Sequence, residues 1–175
     1  MLQLTRILAA LIVTVAVFHV AGASADTTHV IDFSKHGGGP LDRKFFKRDG
    51  IVFSSGSYVG YVQGDDALVG PIAGKLSPKA TGVSARIAPA NQGTATYTLT
   101  TYDSAGQVVA ATSVTVTQDL GDPANSGWGY FTLSQSSLPS NAASFEVTNA
   151  FVRSSYPNVT FVSFAVSSIA VTTTR

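Results

Sequence analysis

Few residues in this chain could carry out covalent chemistry. It has no cysteine, which excludes a thiol nucleophile, a disulfide and a thiolate metal ligand. A serine nucleophile would need a strained G-x-S-x-G elbow, and no such motif occurs. Of the three histidines, His19 lies in an N-terminal apolar run. His29 and His36 fall close to the start of the chain that follows that run, where surface positions are common. Glycoside hydrolysis usually needs two carboxylates on opposite sides of a sugar bond. Glu146 is the one glutamate, and it sits in a strand-like alternation that turns it towards solvent. Asp65 and Asp66 are adjacent, so they point apart in an extended chain, as suits a solvated turn after Gly64. His29, Asp32 and His36 share no strand face and make no transition-metal set.

Noncovalent recognition is better supplied. A sugar is gripped by an aromatic face against its apolar side and by polar groups at its hydroxyls. Trp128 is the one tryptophan and stands between Gly127 and Gly129, which leaves its ring accessible. Tyr130 shares its strand face. Asp122, Asn125, Arg153 and Tyr156 fall in neighbouring loops, and together with Trp128 they form the candidate ligand-binding set. Packing of Trp128 between two sheets is the competing expectation.

These residues are positioned by a chain that reads as one domain behind a targeting segment. Arg6, an apolar run over 7–20 and the small residues Ala23-Ser24-Ala25 form the pattern of a cleaved signal peptide over 1–25. The expected mature domain spans 26–175. Without Arg6 it carries ten basic residues (eleven minus one) against ten acidic ones, for a formal charge of zero. That balance argues against nucleic acid or an anionic membrane as the partner, and no further membrane span is expected. An exported chain without cysteine suits a bacterial secreted or periplasmic protein.

Period-two alternation dominates the remainder. Strands are expected over 28–33, 50–54, 57–63, 82–88, 127–134, 143–149 and within 159–173, where Ser167-Ser168 marks a bulge or bend. A short helical turn is expected over 41–47, and a long loop over 65–80 that contains a short extended piece near Ala67 to Val69. The strongest signal is a hairpin over 94–117, turning through Asp103-Ser104-Ala105-Gly106. Pairing Tyr102 with Gln107 would set Leu99 against Ala110, Tyr97 against Thr112 and Ala95 against Val114. No stretch sustains a helical stripe, so the expected fold is all-β, a single antiparallel sandwich. Loops 89–93, 118–127 and 150–158 would share one end of it.

The segments DFS, DGIVFSSG, TGVSARIA and YTLTTYDSAGQVVA, followed by a strand near Trp128, resemble a bacterial secreted β-sandwich family. That family has galactose-binding-like, jelly-roll architecture and is common in exported proteins with PEP-CTERM sorting tails. Nothing after Val171 resembles such a tail, so surface sorting is not expected. The resemblance implies a noncatalytic module that binds carbohydrate or cell-envelope material. It also implies a structural calcium, for which Asp32, Asp65 and Asp66 are the candidate oxygen ligands; no other cofactor is expected. The alternative is a structural or protein-interaction sandwich with no small-molecule site.

Overall fold

Wherever apolar side chains alternate with hydroxyls, one face of a strand can be buried and the other left in water. The computed structural model describes residues 26–35, 38–42, 44–54, 58–62, 65–69, 72–89, 93–118, 129–153 and 164–174. In chain order the strands are β1 (Thr27–Asp32), β2 (Gly39–Pro40), β3 (Ile51–Phe53), β4 (Tyr58–Val62), β5 (Asp65–Val69) and β6 (Ile72–Leu76). They continue as β7 (Ala80–Pro89), β8 (Gly93–Asp103), β9 (Val108–Gln118), β10 (Phe131–Ser136), β11 (Ala142–Arg153) and β12 (Phe164–Thr173). Two short 3-10 turns, Phe33–Lys35 and Phe45–Asp49, flank β2. Among the described residues no helix is long and apolar enough to cross a membrane.

Two antiparallel sheets pack face to face, as the period-two pattern requires. The first runs β10-β7-β12-β5-β4-β2, with β1 also paired to β12; the second runs β3-β6-β11-β8-β9. Consecutive strands from β6 onwards cross repeatedly between the sheets, because a strand buried on one face closes the core only against the opposite layer. The core contains Ile31, Leu68, Ile87, Leu133, Val166 and Ile169 from the first sheet and Ile51, Ile72, Leu99, Phe145 and Val147 from the second. One end is filled by edge-to-face rings, with Phe33, Phe46 and Phe53 at 5.8–6.0 Å and Phe53 to Phe145 at 6.5 Å. At the other, Tyr97 meets Phe131 at 5.1 Å and Phe164 at 5.8 Å. Along β7, Val83, Ala85 and Ile87 are buried, and the bulge in β12 falls at Ser167, between Val166 and Ser168.

The hairpin forms, but its register differs by two residues from the expected one. Leu99 faces Thr112, Tyr97 faces Val114 and Ala95 faces Val116. The turn sets this. The Asp103 carboxylate Oδ1 accepts from the N–H groups of Ala105 and Gln107, each at 2.9 Å, and Gly106 takes φ 78°. Asp103 N–H donates to the Gln107 carbonyl at 2.9 Å, so the loop closes on Asp103 rather than Tyr102. A bulge between Thr101 and Tyr102 supplies the remaining step. A slip of two keeps every side chain on its own face, and so the core survives the error.

The loop expected over 65–80 is also replaced. β5 pairs with β4 and β12, and β6 pairs with β3 and β11. Asp65 and Asp66 open a strand rather than a turn. Both segments are rich in small residues, and their backbone groups are satisfied by distant partners that no local pattern shows. The helical turn lies slightly later than expected, over Phe45–Asp49, and Gly50 ends it at φ 89°. β10 spans Phe131–Ser136, two residues past the expected end of its strand at Ser134, and carries Gln135 inward.

Candidate functional site

The outer face of the first sheet carries small and hydroxyl-bearing side chains across β1, β12, β7 and β10. Register sets them in rows. Thr28, Thr172, Gly82 and Ser136 lie side by side in one; Val30, Ala170, Ser84 and Ser134 form the next. Asp32, Ser168, Arg86 and Thr132 form a third. Neighbouring rows stand roughly 7 Å apart and neighbouring strands about 4.8 Å apart, so three rows over four strands give a sugar-sized surface.

Because Gly82, Ala170 and Ser84 are small, the first two rows sink into a groove of about 420 Å³. A Cβ on Gly82 would stand 3.1 Å from the Gln135 carbonyl and 3.4 Å from the Thr172 Cβ, so glycine is what keeps this floor low. The far wall is Ser137 and Leu138. Ser137 holds φ 63°, a left-handed conformation that costs a non-glycine residue some strain. That twist lets Leu138 return to the core, its N–H donating to the Thr81 carbonyl at 2.8 Å.

The groove is polar and nearly neutral. Thr28 and Thr172 share a hydroxyl–hydroxyl bond of 2.9 Å, and the Thr81 hydroxyl lies 3.4 Å from both Asp26 Oδ2 and the Thr172 carbonyl. The hydroxyls of Ser84, Ser134 and Ser136 have no hydrogen-bond partner among the described residues and face the groove. Among the described residues Asp26 is the one carboxylate in the lining. Just beyond the groove, the Arg86 guanidinium lies over the Tyr130 ring at 4.2 Å from its centroid, which fixes a planar cation beside the hydroxyl field. The arrangement suits a neutral, hydroxyl-rich ligand rather than a charged one.

A second cavity, of about 590 Å³, lies between β1 and the Phe45–Asp49 turn. Val30, Ile31, Pro40 and Phe46 give it apolar walls, with Asp32, Asp42 and Asp49 around them. Asp32 is the expected calcium ligand placed best by the structure, and its oxygens are engaged within the chain. Oδ1 accepts from the Ser34 hydroxyl at 2.6 Å and the Ser34 N–H at 3.1 Å, and Oδ2 pairs with Lys35 Nζ at 3.3 Å. The Ser34 hydroxyl holds the Asp32 carboxyl below its ordinary value; burial opposes it, and Lys35 and the Ser34 N–H add smaller lowering effects. Among the described residues no group of three or more His, Cys, Asp or Glu side chains could hold a metal ion. Asp65 and Asp66 stand in β5 opposite Val62 and Tyr61, and their side chains lie outside the described residues.

Of the expected ligand-binding residues, Trp128, Tyr156, Asp122 and Asn125 lie outside the described residues. Arg153 ends β11 opposite Thr94, with its side chain also outside them. The structure therefore brings together a set that loop-centred reasoning missed. Its signal was present, since the outward positions of β7, β10 and β12 read Gly82-Ser84-Arg86, Thr132-Ser134-Ser136 and Ser168-Ala170-Thr172. Only their adjacency, set by nonlocal pairing, makes them a site. No protein-family model matches the chain, and no curated protein matches it.

Proposed function

We propose that this chain is an exported, noncatalytic binding module that holds carbohydrate or cell-envelope glycan in the groove on the first sheet. The observation that carries this reading is the groove itself, whose serine hydroxyls, without a hydrogen-bond partner among the described residues, can exchange bound water for sugar hydroxyls. Beside them Val30, 65 % exposed, and Ala170 offer apolar surface for the C–H face of a ring. The signal-like pattern over 1–25 supports export to the periplasm or beyond. The repeated crossing of the chain between layers supports a jelly-roll, galactose-binding-like arrangement of the sandwich.

The reading is tested with a glycan array followed by calorimetry on the purified protein. Ser84 is central in the groove and points away from the core, so Ser84→Arg fills the site without disturbing packing. Wild type is expected to bind neutral glycans, and Ser84→Arg to weaken that binding by about tenfold or more, roughly 1.4 kcal/mol. Full binding by Ser84→Arg, with loss in Trp128→Ala, would move the ligand away from the groove. A wild-type protein that binds no glycan would overturn the carbohydrate reading.

A further inference from the structure

An edge strand exposes N–H and C=O groups that its own sheet leaves unpaired, and proteins usually shorten, charge or cover such edges. Among the described strands this chain does so nearly everywhere. The end strand β2 has two residues, one of them Pro40, and β3 has three. The other end strand of the first sheet, β10, has six residues. β1 is flanked by the Phe45–Asp49 turn, with His29 Nδ1 3.7 Å from Asp49 Oδ1.

β9 is the exception. It runs for eleven residues, Val108–Gln118, pairs with β8 on one side, and contains neither a charge nor a proline. Its outward residues Ala111, Ser113, Thr115 and Thr117 are exposed. The hydroxyls of Thr98 and Ser113, Thr96 and Thr115, and Thr94 and Thr117 meet at 2.8 Å. Side chains approach so closely at the non-hydrogen-bonded positions of an antiparallel ladder, where the backbone N–H and C=O of each residue point away from its partner. The main-chain groups of Ser113, Thr115 and Thr117 are therefore aimed at the free edge.

We propose that β9 pairs with β9 of a second copy of this chain, antiparallel and centred on Ser113, to join two five-stranded sheets into one. The strand is its own complement in that register. Ser113 meets Ser113 at the two-fold axis, and Ala111 meets Thr115 on the outer face. Thr112 meets Val114 and Ala110 meets Val116 on the inner side. Every pair matches a β-branched residue or serine with one it can lie against, and no like charges meet because the strand has none. A two-fold contact of this kind needs only one self-complementary patch and closes after two copies. The dimer does not depend on the groove or on what the groove binds.

Sedimentation velocity on the purified protein, over about two decades of concentration, tests the dimer. Wild type is expected to reach twice the chain mass. Ser113→Lys sets two ammonium groups face to face on the axis, and Thr115→Pro removes an outward N–H. Both variants are expected to remain single chains with wild-type circular dichroism. Amide hydrogen exchange gives a readout that needs no variant, with protection at Ser113, Thr115 and Thr117 rising with protein concentration. A wild type that stays monomeric with exchange independent of concentration would overturn the proposal. So would a dimer that survives both substitutions in folded protein, or an assembly that grows beyond two copies.

Discussion

Thr101→Val isolates one buried hydrogen bond that ties the two sheets together. Thr101 lies on the inner face of β8 at 0 % exposure, and Gln135 faces it from β10 at 6 %. The Thr101 hydroxyl donates to Gln135 Oε1, while Gln135 Nε2 donates to the Leu99 carbonyl at 2.8 Å. Valine keeps the shape of threonine, so no cavity opens, and the loss is the desolvated amide oxygen left without a donor. Such an orphaned group costs about 1–3 kcal/mol. For a domain of this size, 2 kcal/mol corresponds to a fall in melting temperature of roughly 4–8 °C. Adding Gln135→Leu to Thr101→Val removes the orphan, and the double variant is expected to regain about 1 kcal/mol or more over Thr101→Val. Urea unfolding followed by circular dichroism measures all three, with equal m-values as the check on two-state behaviour. If Thr101→Val lies within about 0.5 kcal/mol of wild type at unchanged m, the bridge contributes nothing and this reasoning fails.

Two further outcomes follow from packing and burial. In β6, a Cβ on Gly74 would stand 3.0 Å from Phe145 Cε1 and 3.1 Å from both Ile51 Cγ2 and the Val52 carbonyl, so Gly74→Ala should destabilise by about 1–3 kcal/mol. Unchanged denaturant stability would show that the sheet yields there. Tyr97 is 2 % exposed, and burial pushes its phenol from the ordinary 10.0 up to about 12. The neutral form is favoured in the folded state, so this stabilisation is complete below the unfolded value and is lost as pH rises through the folded one. The difference is worth on the order of 2–3 kcal/mol. Between pH 10 and 12 the wild type should therefore lose more stability than Tyr97→Phe, and parallel curves for the two would sink the assignment.

The architecture was legible where a strand buries one face and shows water the other. Thr94 to Thr117 announced itself because apolar and hydroxyl residues alternate without interruption, and Asp103 and Gly106 mark the turn. The register was not legible, because one Asp side chain and one bulge shift it by two without changing any face. β5 was legible only as a short extended piece near Ala67 to Val69, and β6 not at all, for another reason. Small residues such as Ala67, Ala73 and Gly74 carry little strand preference, and they become strands because β12, β11 and β3 offer them backbone partners.

The groove on the first sheet is not marked by residue type. Both outer faces are built of threonine and serine, and by composition they are alike. On the second sheet those hydroxyls are spent on one another in three cross-strand pairs, which satisfies them and stiffens the β8–β9 ladder. On the first sheet Ala170 and Gly82 interrupt the hydroxyls of β12 and β7. The Ser84, Ser134 and Ser136 hydroxyls are left facing a recess instead of each other. A row of facing hydroxyls seals itself, whereas a row broken by glycine and alanine leaves donors and acceptors open to the recess. The recess is thus defined by where side chains are missing, and that depends on which residues lie side by side across β1, β12, β7 and β10.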